Sequence, residues 1–216
     1  MYKIYLDKRF IVLSGQPDRM QKYCLFHKYH DNAELYKKIS EFIYDGSIDC
    51  LNIYSYKINT LLNAFSDFFE NRTAAGGLII NSDKKMLLIK RHGKWDIPKG
   101  HRSGNESVEE CARREIKEET GLVPASVIKT LKPGHHIYQT PVSWVLKKTY
   151  WFVFSYEGGG RASPQAEEGI ESIRWFSRDE LTEAHSNTWS SISDVLYETL
   201  AEFFDKSTFS RENPLK

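Results

Sequence analysis

The sequence predicts an α/β fold in which a mixed sheet is covered by helices on both sides, preceded by a small N-terminal α/β unit. Three observations predict it. Short segments alternate apolar and polar residues with the period of a half-buried strand. Longer segments between them carry apolar stripes at helical spacing. The strand signals are flanked by helix signals, which implies an α/β/α layering. A chain of 216 residues with 40% hydrophobic residues can bury the core this needs.

The elements follow in order. Tyr2, Ile4 and Leu6 alternate with Lys3, Tyr5 and Asp7, and residues 10–13 read as the hairpin mate of that strand. In residues 34–44 a helical face collects Leu35, Ile39, Phe42 and Ile43. A strand is expected at 48–54, then a helical stripe of Leu61, Leu62, Phe65, Phe68 and Phe69. The polar run Glu70-Asn71-Arg72-Thr73 is the expected boundary, giving units at 1–71 and 74–204 and a polar tail at 205–216. In the second unit strands are expected at 77–80 and 86–90, around a turn at Asn81-Ser82-Asp83. A helix is expected at 107–120, strands near 127–131, 149–156 and 171–176, and a last amphipathic helix carries Ile192, Val195, Leu196, Leu200, Phe203 and Phe204.

Composition excludes several classes. Lys and Arg total 30 against 29 for Asp and Glu, so the basic excess of a protein that coats a polyanion is absent. The 13% aromatic content argues against a disordered chain. No apolar run approaches the roughly 18 residues needed to span a bilayer, and the first residues lack the apolar core of a secretory signal. Cys24, Cys50 and Cys111 are an odd, scattered set, which argues against a disulfide scaffold or thiolate zinc site and fits a reducing cytosol. These readings point to a cytoplasmic protein.

The segment 100–122 is the informative one. Ser107 and Glu110 have capping-box spacing, and Gly121 supplies a left-handed helix end. At about 100° per residue, Glu118 and Glu119 lie about −60° and +40° from Glu115, on the arc of Val108, Cys111 and Ala112. Glu109, Glu110, Arg113 and Lys117 already form a separate solvated face. Carboxylates that continue the apolar stripe repel one another unless a cation neutralises them. Oxygen-only ligands select Mg²⁺ or Mn²⁺, an ion that clamps phosphate oxygens and lowers the pKa of bound water.

These residues carry a resemblance. Gly100, Glu106, Arg114-Glu115-Ile116, Glu118-Glu119 and Gly121-Leu122 stand at the spacing of a complete Nudix box, and every specified position matches. The segment is therefore similar to that of the Nudix hydrolases, and a Nudix-like α/β/α sandwich would cover about 74–204. The first seventy residues lie outside the resemblance. Their open roles are shielding a substrate, forming a homodimer or binding a partner.

The resemblance implies cleavage of a pyrophosphate linkage by water attack on phosphorus, with Mg²⁺ or Mn²⁺ as cofactor. It makes Glu115, Glu118 and Glu119 metal ligands, with Glu118 or Glu119 also a candidate base. Gly100 would offer its backbone carbonyl to the metal. Arg114 would hold a glutamate carboxylate, with Glu106 and Gly121 in support. A further carboxylate is expected from the loop holding Glu167 and Glu168, with Glu168 the first choice. Trp95-Asp96-Ile97-Pro98-Lys99-Gly100-His101 and Lys148-Thr149-Tyr150-Trp151-Phe152 resemble the branch acting on diadenosine and diphosphoinositol polyphosphates. That makes Lys99, His101 and Lys148 phosphate contacts, although Lys147 and Lys148 alternate and only one can face the site. Tyr138 and Trp144, expected in a loop, are candidates for stacking on adenine. His135-His136 reads as a polar loop pair, and Cys111 as a small buried apolar residue. The implied partner is a nucleotide-type small molecule, with neither membrane nor nucleic acid expected. ADP-ribose or nucleotide-sugar cleavage, and a sensor without turnover, are the alternatives.

Overall fold

Residues 1–18, 23–158 and 160–203 are described in a computed structural model of the chain. The predicted hairpin forms, β1 (Tyr2–Leu6) running antiparallel to β2 (Arg9–Ser14) with Tyr2 opposite Leu13. The strand β3 (Cys24–Lys28) was hidden in the sequence because only Cys24 of its five residues is buried. Helix α1 (Asn32–Tyr44) starts at Asp31, whose side chain accepts from the Glu34 N–H, and buries Leu35, Ile39, Phe42 and Ile43 as the periodicity requires. Then come β4 (Cys50–Tyr54) and α2 (Ile58–Asp67), which buries Leu61, Ala64 and Phe65.

The polar run at 70–73 is part of a strand, the start of β5 (Glu70–Asn81). It pairs in parallel with β11 (Trp144–Tyr156) from Glu70 opposite Val145 onward, and that pairing satisfies its backbone. Between them lie β6 (Met86–Arg91), β7 (Lys94–Asp96), β8 (Lys99–His101), α3 (Val108–Thr120), β9 (Val127–Thr130) and β10 (Gly134–Gln139). After β11 the chain forms β12 (Ile170–Phe176), α4 (Leu181–Ser186) and α5 (Ser190–Phe203). Phe204 and the expected polar tail lie outside the described residues.

All the strands belong to one mixed sheet of 12, ordered β12-β6-β5-β11-β10-β1-β2-β4-β3, with β7, β8 and β9 on β6, β5 and β11. The seam between the N-terminal strands and the rest is the parallel pair β1 and β10, with Tyr5 opposite His136. Helices α1 and α2 bury their stripes against Ile4, Ile11, Leu51, Ile137 and Leu146, so this core draws on both halves of the chain. On β11 the even-numbered Leu146, Phe152 and Phe154 share one face, which carries α1, α2 and α3. Leu78, Trp151 and Val153 face the other way, against α4 and α5. No helix among the described residues is long and apolar enough to cross a membrane.

Two loop expectations are overturned. His135, His136 and Tyr138 lie on β10 and Trp144 opens β11, so none is in a loop. Cys24 and Cys50 are register partners on β3 and β4 and form a disulfide, which the scattered cysteines had argued against. Spacing along the chain could not reveal a partner 26 residues away.

Candidate active site

Local chemistry sets α3 as the sequence indicates. Ser107 Oγ accepts from the Glu110 N–H and Glu110 returns a carboxylate to the Ser107 N–H, completing the capping box. Gly121 ends the helix at φ 72, a conformation glycine adopts without a side-chain clash. The buried stripe contains Cys111, Ala112, Glu115, Ile116, Glu119 and Thr120. Of the three predicted carboxylates, Glu115 and Glu119 do continue the apolar stripe. Glu118 does not: its side chain is 45% exposed.

Arg114 organises the acids around it. Its Nε and Nη2 grip Glu106 at 3.0 and 2.7 Å, and Nη2 also donates to the His101 carbonyl at 3.0 Å. Its Nη1 donates to Glu115 Oε1 at 2.6 Å and Glu118 Oε2 at 2.9 Å. Glu106 also accepts from the Ser103 N–H, and Arg114 first and then this bond hold its carboxyl down at about 2. Gly100 sits directly against the Glu115 carboxyl, and a Cβ there would overlap it.

Glu119 is the most perturbed acid. It is fully buried, and burial pushes its carboxyl up to about 8 against the opposing pull of Lys99. Oε2 accepts from the Lys99 N–H at 3.1 Å, whereas Oε1 has no hydrogen-bond partner and stands 3.8 Å from Arg91 Nη1. The surroundings come from a split beside β5, which pairs with β8 at 74–76 and with β6 at 79–80. Glu115 is raised too, chiefly by burial, with Glu118 and Glu168 adding repulsion.

Glu168 reaches this group by a tertiary route. The loop after β11 is fastened to the open end of α3, whose last carbonyls have no partner within the helix. The Ser163 N–H donates to the Thr120 carbonyl and the Gln165 N–H to that of Glu119. The single turn Ala166–Glu168 then sets the charge of Glu168 near both buried acids, raising each. Glu167 is exposed on the same turn.

The basic residues divide between the two faces. Lys148 shares the α3 face, 4.7 Å over the Tyr150 ring, and lies beside His135. Lys147 points to the opposite face, toward Lys99, Asp96 and Arg91. Burial, then Lys99 and Arg91, push its ammonium down to about 8, with Asp96 opposing. Lys148, expected as a phosphate contact, lies on the face opposite to Lys147. Lys99 Nζ reaches Asp96 Oδ2, and His101 is exposed near Lys147 and Arg72. Tyr138 lies on this face, stacked at 5.7 Å on His136, whose own titration burial and Lys147 push down to about 4. Trp144 is elsewhere. It packs partly buried on the N-terminal core and donates Nε1–H to Tyr44 at 3.3 Å. Cys111 is buried as expected, its thiol raised to about 11 by burial. Sequence reasoning missed Arg91, Asp96 and Lys147; the alternation of the two lysines was the available signal for the last.

The donors fit a hard divalent cation. The buried Glu119 Oε1 has no hydrogen-bond partner, the charges of Glu168 and Asp96 act on that carboxyl, and the Glu115 carboxyl stands where a Cβ on Gly100 would be. Among the described residues, however, no three acidic, imidazole or thiol side chains are close enough to hold an ion as they stand. Glu115 and Glu118 are instead turned onto Arg114.

Comparison with known proteins agrees with the box and the fold. The chain is 40% identical over 94 residues to the ADP-ribose pyrophosphatase of Methanocaldococcus jannaschii, covering 38% of this chain and 55% of that protein. It is 27% identical over 135 residues to the RNA pyrophosphohydrolase of Caulobacter vibrioides, covering 54% and 78%. An RNA pyrophosphohydrolase of Histophilus somni is 38% identical over 63 residues, covering 28% and 33%. The chain thus spans between a third and about half of the first and last of these relatives. A solved Ap4A hydrolase from C. elegans superposes with a TM-score of 0.47 at 18% identity, covering 60% of this chain and 96% of that one. The family model for the NUDIX domain matches residues 70–198, more than half of the sequence, and the chain belongs to the Nudix family.

Proposed function

We propose that the chain is a divalent-metal-dependent pyrophosphohydrolase acting on nucleoside polyphosphates, dinucleoside polyphosphates such as the diadenosine ones foremost. One observation carries the reading: a fully buried carboxylate, Glu119, with one oxygen that has no hydrogen-bond partner and stands 3.8 Å from Arg91, and with the charges of Glu168 and Asp96 acting on it. Burying such a group is costly unless a cation meets it.

Glu115, Glu118, Glu119 and the Gly100 carbonyl would hold Mg²⁺ or Mn²⁺. The bound ion neutralises phosphate charge and acidifies a water. The chain's own residues do the rest. Arg114 sets Glu115 and Glu118 in place through Nη1, while Glu106 fixes Arg114. Glu168 accepts the proton as the water oxygen bonds to phosphorus and the bridging oxygen departs with the leaving phosphate. Lys99, Lys147 and Arg91 then balance the charge of phosphates lying beyond the buried acids. Three cations set against the carboxylates of Asp96 and Glu119 support a substrate with more than two phosphates, since the remaining like charge repels unless an anion meets it. Tyr138 and His101 border the same face.

The likeness to an ADP-ribose pyrophosphatase favours a second reading, cleavage of ADP-ribose. Incubation with diadenosine tetraphosphate, ADP-ribose, a nucleotide sugar and a 5′-triphosphorylated RNA, with Mg²⁺ or with chelator, separates the readings by product chromatography. Metal-dependent cleavage of the tetraphosphate ahead of ADP-ribose is expected. The reverse order overturns the substrate assignment, and binding without turnover of any of them makes the protein a sensor.

A further inference from the structure

The N-terminal strands carry α1 and α2 on one face only. On the other lies a small apolar cluster of Val12, Cys24 and Cys50 with Phe10 beside it, to which no helix contributes. It is closed by the chain leaving β2. Ser14 Oγ donates to the Gln16 carbonyl at 2.7 Å, and the Asp18 N–H donates to Asn52 Oδ1 at 2.8 Å. Asn52 is itself fully buried and donates Nδ2 to the Val12 carbonyl at 3.1 Å and Ser14 Oγ at 2.8 Å.

Strand β3 is the last of the sheet and pairs with β4. Its first residue, Cys24, faces its register partner Cys50 with 4.4 Å between the Cα atoms and is bonded to it. The flanking residues are open to solvent: Tyr23 is 88% exposed and Leu25 54%. The sulfurs therefore lie one residue inside the boundary, reachable when the start of an edge strand frays. The third cysteine, Cys111, is buried under α3 at the far side of the seam and is free. It cannot compete for the pair.

We propose that Cys24–Cys50 is a redox-operated latch on β3. Closed, it fastens the first residue of the outer strand to β4; opened by thiols, it leaves β3 to its ladder and the contact of His27 with Glu34 at 3.8 Å. Closing consumes a low-molecular-weight disulfide by exchange. One protein thiolate attacks it and releases one small thiol, and the second protein thiolate displaces the other. Two protein thiols become one disulfide and the reagent becomes two thiols, so atoms and electrons balance. The proposal does not depend on the hydrolase reading.

The test uses the full chain. Unreduced protein, denatured and alkylated, should take up one alkyl group, on Cys111, and three after reduction. Reduction should lower Tm by about 10 °C, as expected for a cross-link closing a loop of this size. It should also speed hydrogen exchange at 24–28 while leaving α3 protected. Oxidised glutathione should restore the cross-link and Tm. Cys24→Ser or Cys50→Ser should abolish the response to reductant, and Cys111→Ser should keep it. Three alkylated cysteines without reductant, a Tm indifferent to reductant, or reduced protein that does not re-form the bond would each overturn the latch. Chemical reduction of the unmutated chain decides the matter even if a serine variant fails to fold.

Discussion

Helices α1 and α3 are both 13 residues long, both are capped by a side chain at the N-terminus, and both lie on the same face of one sheet. They differ in the buried stripe. That of α1 is Leu35, Ile39, Phe42 and Ile43; that of α3 includes Glu115 and Glu119. Each large apolar side chain buried by α1 contributes about 1.5–3 kcal/mol. The acids of α3 cost stability by the same desolvation. Charge, amphipathicity and capping are thus shared by a helix that holds the fold and one that holds a site, and only the chemistry of the inward stripe separates them.

The largest effects should come from swapping what each stripe does. Glu119→Gln removes the charge and keeps the shape, so turnover should fall by about a thousandfold or more while circular dichroism shows the fold retained. Phe42→Ala should do the opposite, costing about 3–5 kcal/mol in denaturant titration with little change in turnover per folded molecule. If Phe42→Ala matched Glu119→Gln in turnover, the division of labour would be wrong.

Next, Gly100→Ala places a methyl group on the Glu115 carboxyl and should lower kcat by about a hundredfold without unfolding the chain. Unchanged kinetics would mean that Glu115 need not stand where it does.

A third effect is visible in stability against pH. The carboxyl of Glu119 titrates near 8 when folded, against 4.5 as the ordinary value. A raised pKa stabilises the fold fully below about 4.5, and the contribution is lost as pH rises toward 8. Metal-free protein should therefore lose about 1.4 kcal/mol per pH unit across this window relative to Glu119→Gln. Lys147 and His136 titrate with the opposite sense, which is why the difference between the two proteins is the quantity to measure. A difference that does not change with pH would show that Glu119 is solvated.

The smallest contrast concerns the caps. Asp31→Ala and Ser107→Ala should each cost about 1 kcal/mol in denaturant titration. Loss of more than twice that at only one of them would show that the two starts are not equivalent.

Much of the difference between the helices was legible beforehand, because both are built from contacts within one or two turns. Periodicity found both stripes, including the inward turn of Glu115 and Glu119. The lysines show where legibility stops. Alternation established that Lys147 and Lys148 oppose one another, but the face that meets the site depends on how β11 lies between β5 and β10. Trp144 read as a stacking candidate for the same reason, since its packing on α1 is invisible until β1 joins β10. The short strands β3, β7 and β8 lack a period long enough to detect.

From its residues alone this chain determined its helix starts and stops, its inward acids and its family signature, since each depends on neighbours a few positions apart. Tertiary structure decided that the first seventy residues continue the sheet, that Glu168 approaches the acids of α3, that Lys147 points toward Lys99, Asp96 and Arg91, and that Cys24 meets Cys50. Those four depend on pairing between strands and on loops tied to a helix end. Such pairings are chosen by burial and hydrogen bonding across the whole sheet, which no local spacing encodes.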